Sequence, residues 1–128
     1  MGELDLKPLF WMGSSHKDLK AFPEDVKDVM GRALLDAQLD DRHPDAKPLQ
    51  GFGGAGVLEM VDDFAGGTYR TVYTVRFKGA VYVLHAFQKK ATRGIATPRH
   101  EMDLVRERYR AAEKHYLHWK KRARNDDE

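Results

Sequence analysis

Four cations, Lys89, Lys90, Arg93 and Arg99, follow directly on an apolar run in the stretch YVLHAFQKKATRGIATPRH, Tyr82 to His100. Cations crowded at one strand end, too many to pair locally, suit a polyanion, and a small basic domain most often meets RNA or DNA. The competing reading is an edge strand kept soluble by lysine and arginine. Arg70 follows Tyr69 at the start of another apolar run. Its guanidinium can hold a phosphate through two parallel hydrogen bonds, or pair across strands with Glu59. By strand alternation His85 shares a face with Val81, Val83 and Phe87, which suits a buried, hydrogen-bonded histidine better than a catalyst.

Other patterns carry less chemistry. Gly51–Gly56 (GFGGAG) resembles a phosphate loop but lacks the lysine and hydroxyl such a loop needs, and it precedes a strand rather than a helix. His115 and His118 lie one helical turn apart with no third ligand spaced to join them, so no metal site is expected. Cysteine is absent, which excludes disulfides, thiolate metal sites and cysteine nucleophiles and fits a cytoplasmic protein.

The elements that must position these residues can be read from periodicity. Leu6 to Met12 suits a short first strand, and Gly13-Ser14-Ser15 a turn capping a short helix through Phe22. Pro23-Glu24-Asp25 opens a second helix, in which Val26, Val29, Met30, Ala33, Leu34 and Ala37 form one apolar face ending near Leu39. Gly31 inside it suggests a close helix packing. The breaker-rich segment Asp40 to Gly56 reads as a loop. Strands are expected at Val57–Asp62, Thr68–Phe77 and Ala80–Phe87, joined by short Gly turns into an antiparallel meander. Thr97-Pro98 starts a last helix whose stripe Met102, Val105, Tyr109, Ala112, Tyr116 and Trp119 is a packing surface.

These elements predict an α+β fold, with a small antiparallel sheet packed against the N-terminal helices and a C-terminal helix following. The other sheet face is expected to be open to a partner. Residues 1–119 form one domain, and the polar stretch 120–128 reads as a flexible tail. With 41% hydrophobic and 33% charged residues, the chain reads as soluble and globular. No run is apolar enough for a membrane span and no signal peptide is evident. The net charge of +2 decides nothing, but its distribution does. Cations dominate from Lys89 onward, whereas Glu24, Asp25, Asp28, Asp36, Asp40 and Asp41 make the first half acid-leaning.

The segments WMGSSHKDLKAFP, KPLQGFGGAGVLEM, TYRTVYTV and above all VYVLHAFQKKATRGIATP occur in the order found in the RelE/HigB toxin superfamily. The stretch from Leu6 to Glu113 resembles its phage-derived branch. The resemblance implies a toxin of a type II toxin–antitoxin pair. Such a toxin is a metal-independent ribonuclease without cofactor that cuts mRNA on the ribosome and is held inactive by a cognate helix-turn-helix antitoxin. Arg70 then falls on the superfamily's phosphate-binding arginine, Lys89 and Lys90 on its basic pair, and Lys47 on its loop lysine. The chain departs from the RelE pattern at Glu59 and Val61, where lysines are usual, and Ile95-Ala96-Thr97-Pro98 occupies the stretch where that pattern has a tyrosine after the basic pair.

RNA cleavage without a metal needs a base for the 2′-hydroxyl proton, cations for the phosphorane charge and an acid for the leaving oxygen. On that expectation we assign Arg70 and Lys90 the charge-stabilising role, with Lys89 and Arg93 gripping neighbouring phosphates and Arg99 a further RNA-binding cation. Glu59 or His85 is the candidate base and His100 the candidate acid. A non-catalytic binder of ribosome or nucleic acid is the alternative function. A structural protein that recruits a partner through its basic helix is the third.

Overall fold

A computed structural model describes residues 5–52, 54, 56–90 and 97–126; the side chains of Lys90, Asn125 and Asp126 are outside that description. The described elements, in chain order, are β1 (Leu9–Trp11), α1 (Ser15–Lys20), α2 (Glu24–Gln38), β2 (Lys47–Pro48), β3 (Val57–Phe64), β4 (Gly67–Thr74), β5 (Val81–Lys90) and α3 (Arg99–Asp126). The sheet has five strands in the order β1-β5-β4-β3-β2. The meander β3-β4-β5 is antiparallel as its short turns dictate, whereas β1 joins β5 in parallel with Leu9 opposite Val81. The sheet is therefore mixed. The expected loop also contributes β2, whose Lys47 pairs with Glu59.

Both faces of the sheet are covered. Val26, Met30, Ala33, Leu34 and Ala37 of α2 pack with Leu58, Met60, Tyr73, Val81 and Val83 on one face. Val105 and Ala112 of α3 pack with Val57, Val72, Tyr82, Leu84 and Phe87 on the other. Met102, Tyr109, Tyr116 and Trp119 extend this second core, so the stripe read as a packing surface finds its partner there. The face expected to be open is thus closed, because α3 has an apolar stripe with nowhere else to bury it. α3 also continues through Lys120–Arg124 to Asp126, the segment read from composition as a tail. Gly31 corrects another expectation: it is exposed, and an added Cβ would meet nothing within 4 Å. Gly31→Ala is expected to raise stability by about 0.5–1 kcal/mol in urea unfolding, since only the unfolded chain loses freedom.

An irregularity in β5 matters for the site. The β4–β5 register passes from Val72↔His85 to Tyr73↔Val83, leaving Leu84 as an extra residue. A bulge of this kind breaks the strict two-residue alternation. Val81 and Val83 face the α1–α2 core, but Leu84 and His85 both turn toward α3. The shared face expected for His85 with Val81 and Val83 is therefore split, although His85 still stacks on Phe87 at 4.7 Å between ring centroids.

Candidate functional site

Glu59, Arg70 and His85 come from three adjacent strands, and all turn toward the first turns of α3. Glu59 lies two residues from Val61 on β3, the residue opposite Arg70, so the two charged side chains meet on the diagonal. Arg70 Nη1 is 3.1 Å from Glu59 Oε2, with side-chain exposures of 6% and 14%. Such burial makes the pair a fixed unit rather than a solvated one, because neither charge can be left in the interior alone. Thr97, just before α3, donates its hydroxyl to the same Glu59 oxygen at 3.1 Å. Lys47, Gln50, Glu59, Thr97 and Met102 line a groove of about 470 Å³ on this side of α3. That is wide enough for a nucleotide base, and Lys47 stands exposed on its rim.

A second groove of about 450 Å³ runs along the other side of the start of α3, lined by Asp18, Phe22, Tyr69, His85, Gln88 and Glu101. Here Arg108 reaches across from α3. It donates from Nη1 to the bulge carbonyl of Leu84 at 3.0 Å and to His85 Nδ1 at 3.1 Å, and from Nη2 to Ser14 Oγ at 3.1 Å. A guanidinium only donates, so Nδ1 must be the accepting nitrogen and Nε2 carries the proton. That proton is directed at Glu101 Oε1, 3.2 Å away. Burial pushes the His85 pKa below its ordinary value, with Glu101 opposing the shift and Arg108 adding to it. His85 is thus a neutral imidazole with its lone pair already occupied.

Arg108 has a slot because position 13 is glycine. A Cβ on Gly13 would stand 2.6 Å from Arg108 Nε, and the residue has φ +54°. Gly13→Ala is expected to cost about 1–2 kcal/mol from the left-handed backbone alone, read as a lowered urea midpoint.

The remaining sequence candidates are more scattered. Lys89 is half-buried on β5 opposite Thr68, and for Lys90 only the backbone pairing with Gly67 is described. Arg93 lies outside the described residues. Arg99 opens α3 in an exposed position. The His100 side chain is 82% exposed, with Nε2 3.6 Å from Glu101 Oε1. The structure therefore places Glu59 and Lys47 at one groove, with Arg70 paired to Glu59, and sets His85 beside the other. Thr97, read from the sequence only as a helix start, and Glu101 and Arg108, which carry no sequence signal, complete the arrangement. The spacing of Glu101 and Arg108 on α3 is ordinary helix-surface spacing, and the bulge in β5 brings the Leu84 carbonyl and His85 to Arg108. His115 is exposed on α3, and its Nδ1 also lies 2.7 Å from the hydroxyl of buried Tyr82. Among the described residues no group of three His, Asp or Glu side chains could hold a metal, and no helix is long and apolar enough to cross a membrane.

Comparison with known proteins adds a family. No curated protein matches the chain. A chain of the solved toxin–antitoxin complex RelBE2 from Mycobacterium tuberculosis is similar at 19% identity and a TM-score of 0.41, over 70% of this chain and 98% of that one. The family described as phage derived protein Gp49-like matches residues 17–110, a span that holds Glu59, Arg70, His85, Glu101 and Arg108. The chain belongs to this phage-derived family, the branch its sequence motifs resemble.

Proposed function

We propose that this chain is the toxin of a type II toxin–antitoxin pair, a metal-independent endoribonuclease that stops translation by cutting mRNA on the ribosome. The observation that carries the reading is the buried Glu59–Arg70 pair, whose Glu59 lines a nucleotide-sized groove with Lys47 at its rim. In this mechanism an RNA phosphate displaces Glu59 from Arg70, which exchanges a carboxylate for a phosphate oxygen. The freed Glu59 takes the 2′-hydroxyl proton as the 2′-oxygen bonds to phosphorus and the bond to the 5′-oxygen breaks. Arg70 and Lys90 stabilise the phosphorane charge, and Lys47, Lys89, Arg93 and Arg99 hold flanking phosphates. His100, exposed at the start of α3, is the candidate acid for the leaving oxygen. His85 acts as a positioning residue instead of a base, since Arg108 holds its lone pair. The requirement for a 2′-hydroxyl restricts the reaction to RNA. A cognate helix-turn-helix antitoxin is the expected inhibitor.

The alternative, a non-catalytic ribosome or nucleic-acid binder, is favoured by one observation: Arg70 is nearly enclosed and already engaged by a carboxylate. Inducing the chain alone and mapping transcript 5′ ends separates the two. The nuclease produces growth arrest with new mRNA ends, and Glu59→Gln lowers cleavage roughly 10²–10⁴-fold while keeping a hydrogen-bond partner for Arg70. Arrest without new ends means a binder. Cleavage at full rate in Glu59→Gln would remove that residue from the mechanism.

A further inference from the structure

At the end of α3 remote from the Glu59 groove, charge and aromatic surface coincide. From Arg110 to Arg124 the helix carries six cations (Arg110, Lys114, Lys120, Lys121, Arg122, Arg124) against a single acid, Glu113. All six cations are exposed. None of them closes a salt bridge in the described structure, unlike Arg106 earlier on the helix, which lies 3.6 Å from Asp103. Beside them a cleft of about 510 Å³ opens between Phe10 of β1 and α3, lined by His115, His118, Trp119, Lys121 and Arg122.

The floor of this cleft is aromatic. Phe10 lies 4.7 Å from the His115 ring and 5.5 Å from the Trp119 ring, centroid to centroid, and both Phe10 and Trp119 are only half-buried. Lys120 Nζ already stands 5.9 Å from the Tyr116 ring centroid. Aromatic faces bordered by exposed cations are what sequence-tolerant single-stranded nucleic-acid surfaces use: the rings stack bases while the cations track phosphates. A surface built only for solubility would need the charges but not the cleft.

We infer that the C-terminal half of α3, with Phe10, is a second RNA-binding surface that anchors single-stranded RNA away from the cleavage groove. Met102 at the groove and Trp119 at the cleft are about 25 Å apart along the helix, so one strand of several nucleotides can occupy both. The inference rests on the ribonuclease reading only for the choice of RNA as the polyanion. An acidic protein segment would be attracted by the same charges. It would have no use for an aromatic slot of base dimensions.

The test uses the full-length chain and a fluorescent single-stranded RNA, with anisotropy read at several salt concentrations in EDTA. The expected result for Lys114→Ala/Lys121→Ala/Arg122→Ala is at least tenfold weaker binding near 0.1 M salt. The slope of log affinity against log salt should fall by about 2, as for three lost phosphate contacts on a single strand. RNA should also quench the indole emission of the parent, and Trp119→Phe should abolish most of that quenching because Trp11 is stacked on His16. Circular dichroism of each variant checks that α3 is intact. Unchanged affinity and slope would overturn the inference, leaving a solvated helix. Loss of antitoxin binding with RNA binding intact would overturn it in favour of a protein-docking surface. RNA binding that depends on α3, without any cleavage, would instead sink the nuclease reading and leave this one standing.

Discussion

Arg70→Ala is expected to destabilise the fold by about 3–5 kcal/mol, the largest effect of any single charge change here. The loss does not come from the attraction of the pair itself. It arises because Glu59, with its side chain 14% exposed, would keep a charge in the interior with, among the described residues, only the Thr97 hydroxyl to hold it. Urea unfolding measures this directly. The double variant Glu59→Gln/Arg70→Met removes both charges and should recover most of the stability. If the single and double variants are equally unstable, the penalty is lost packing and the ion pair is incidental. Loss of toxicity in Arg70→Ala alone therefore says nothing about catalysis. Arg70→Lys and Glu59→Gln, which keep the site filled, are the variants that test it.

Arg108→Ala is the second large effect. It leaves the Leu84 carbonyl and His85 Nδ1 without their donor and frees α3 from Ser14. Hydrogen bonds from a charged donor are each worth on the order of 1.5–3 kcal/mol, and at least one such loss is expected at neutral pH. The variant should also alter the pH profile. His85 is held neutral, with a folded-state pKa below its unfolded value, chiefly by burial. Between those two values the unfolded chain binds the extra proton, so stability falls as pH drops below about 6.5, the ordinary histidine value. Protonation would also set an N–H of His85 against the N–H of Arg108. Removing Arg108 relieves that conflict and leaves Glu101 to favour the imidazolium. The acid-side slope of stability should therefore be shallower in Arg108→Ala than in the parent. An unchanged slope would show that burial alone keeps His85 neutral.

Much of this architecture was legible because it is written in local periodicity. The α2 face, the three meander strands and the α3 stripe all follow from residue spacing. What escaped depends on distant partners. Nothing in Leu9–Trp11 says that it will lie parallel to β5, since a three-residue strand has no register information of its own. The closure of the second sheet face was missed because the stripe on α3 shows only that a surface must be buried, not against what. For the site, the Glu59–Arg70 diagonal was available as an alternative to phosphate binding, and it is the arrangement found. His85 was misplaced by one step of alternation, which the extra residue Leu84 supplies without any glycine or proline to announce it.

The sequence order of the elements sets when the site can be completed during synthesis, because α3 follows β3 to β5. Strands β3 to β5 can pair as soon as they emerge, since their contacts are close in sequence. The Glu59 groove has no second wall until Thr97 and Met102 are in place, and the β5 bulge has no donor until Arg108 arrives. Leu9 must likewise wait for Val81. A growing chain thus carries its charged site unfinished until α3 has emerged.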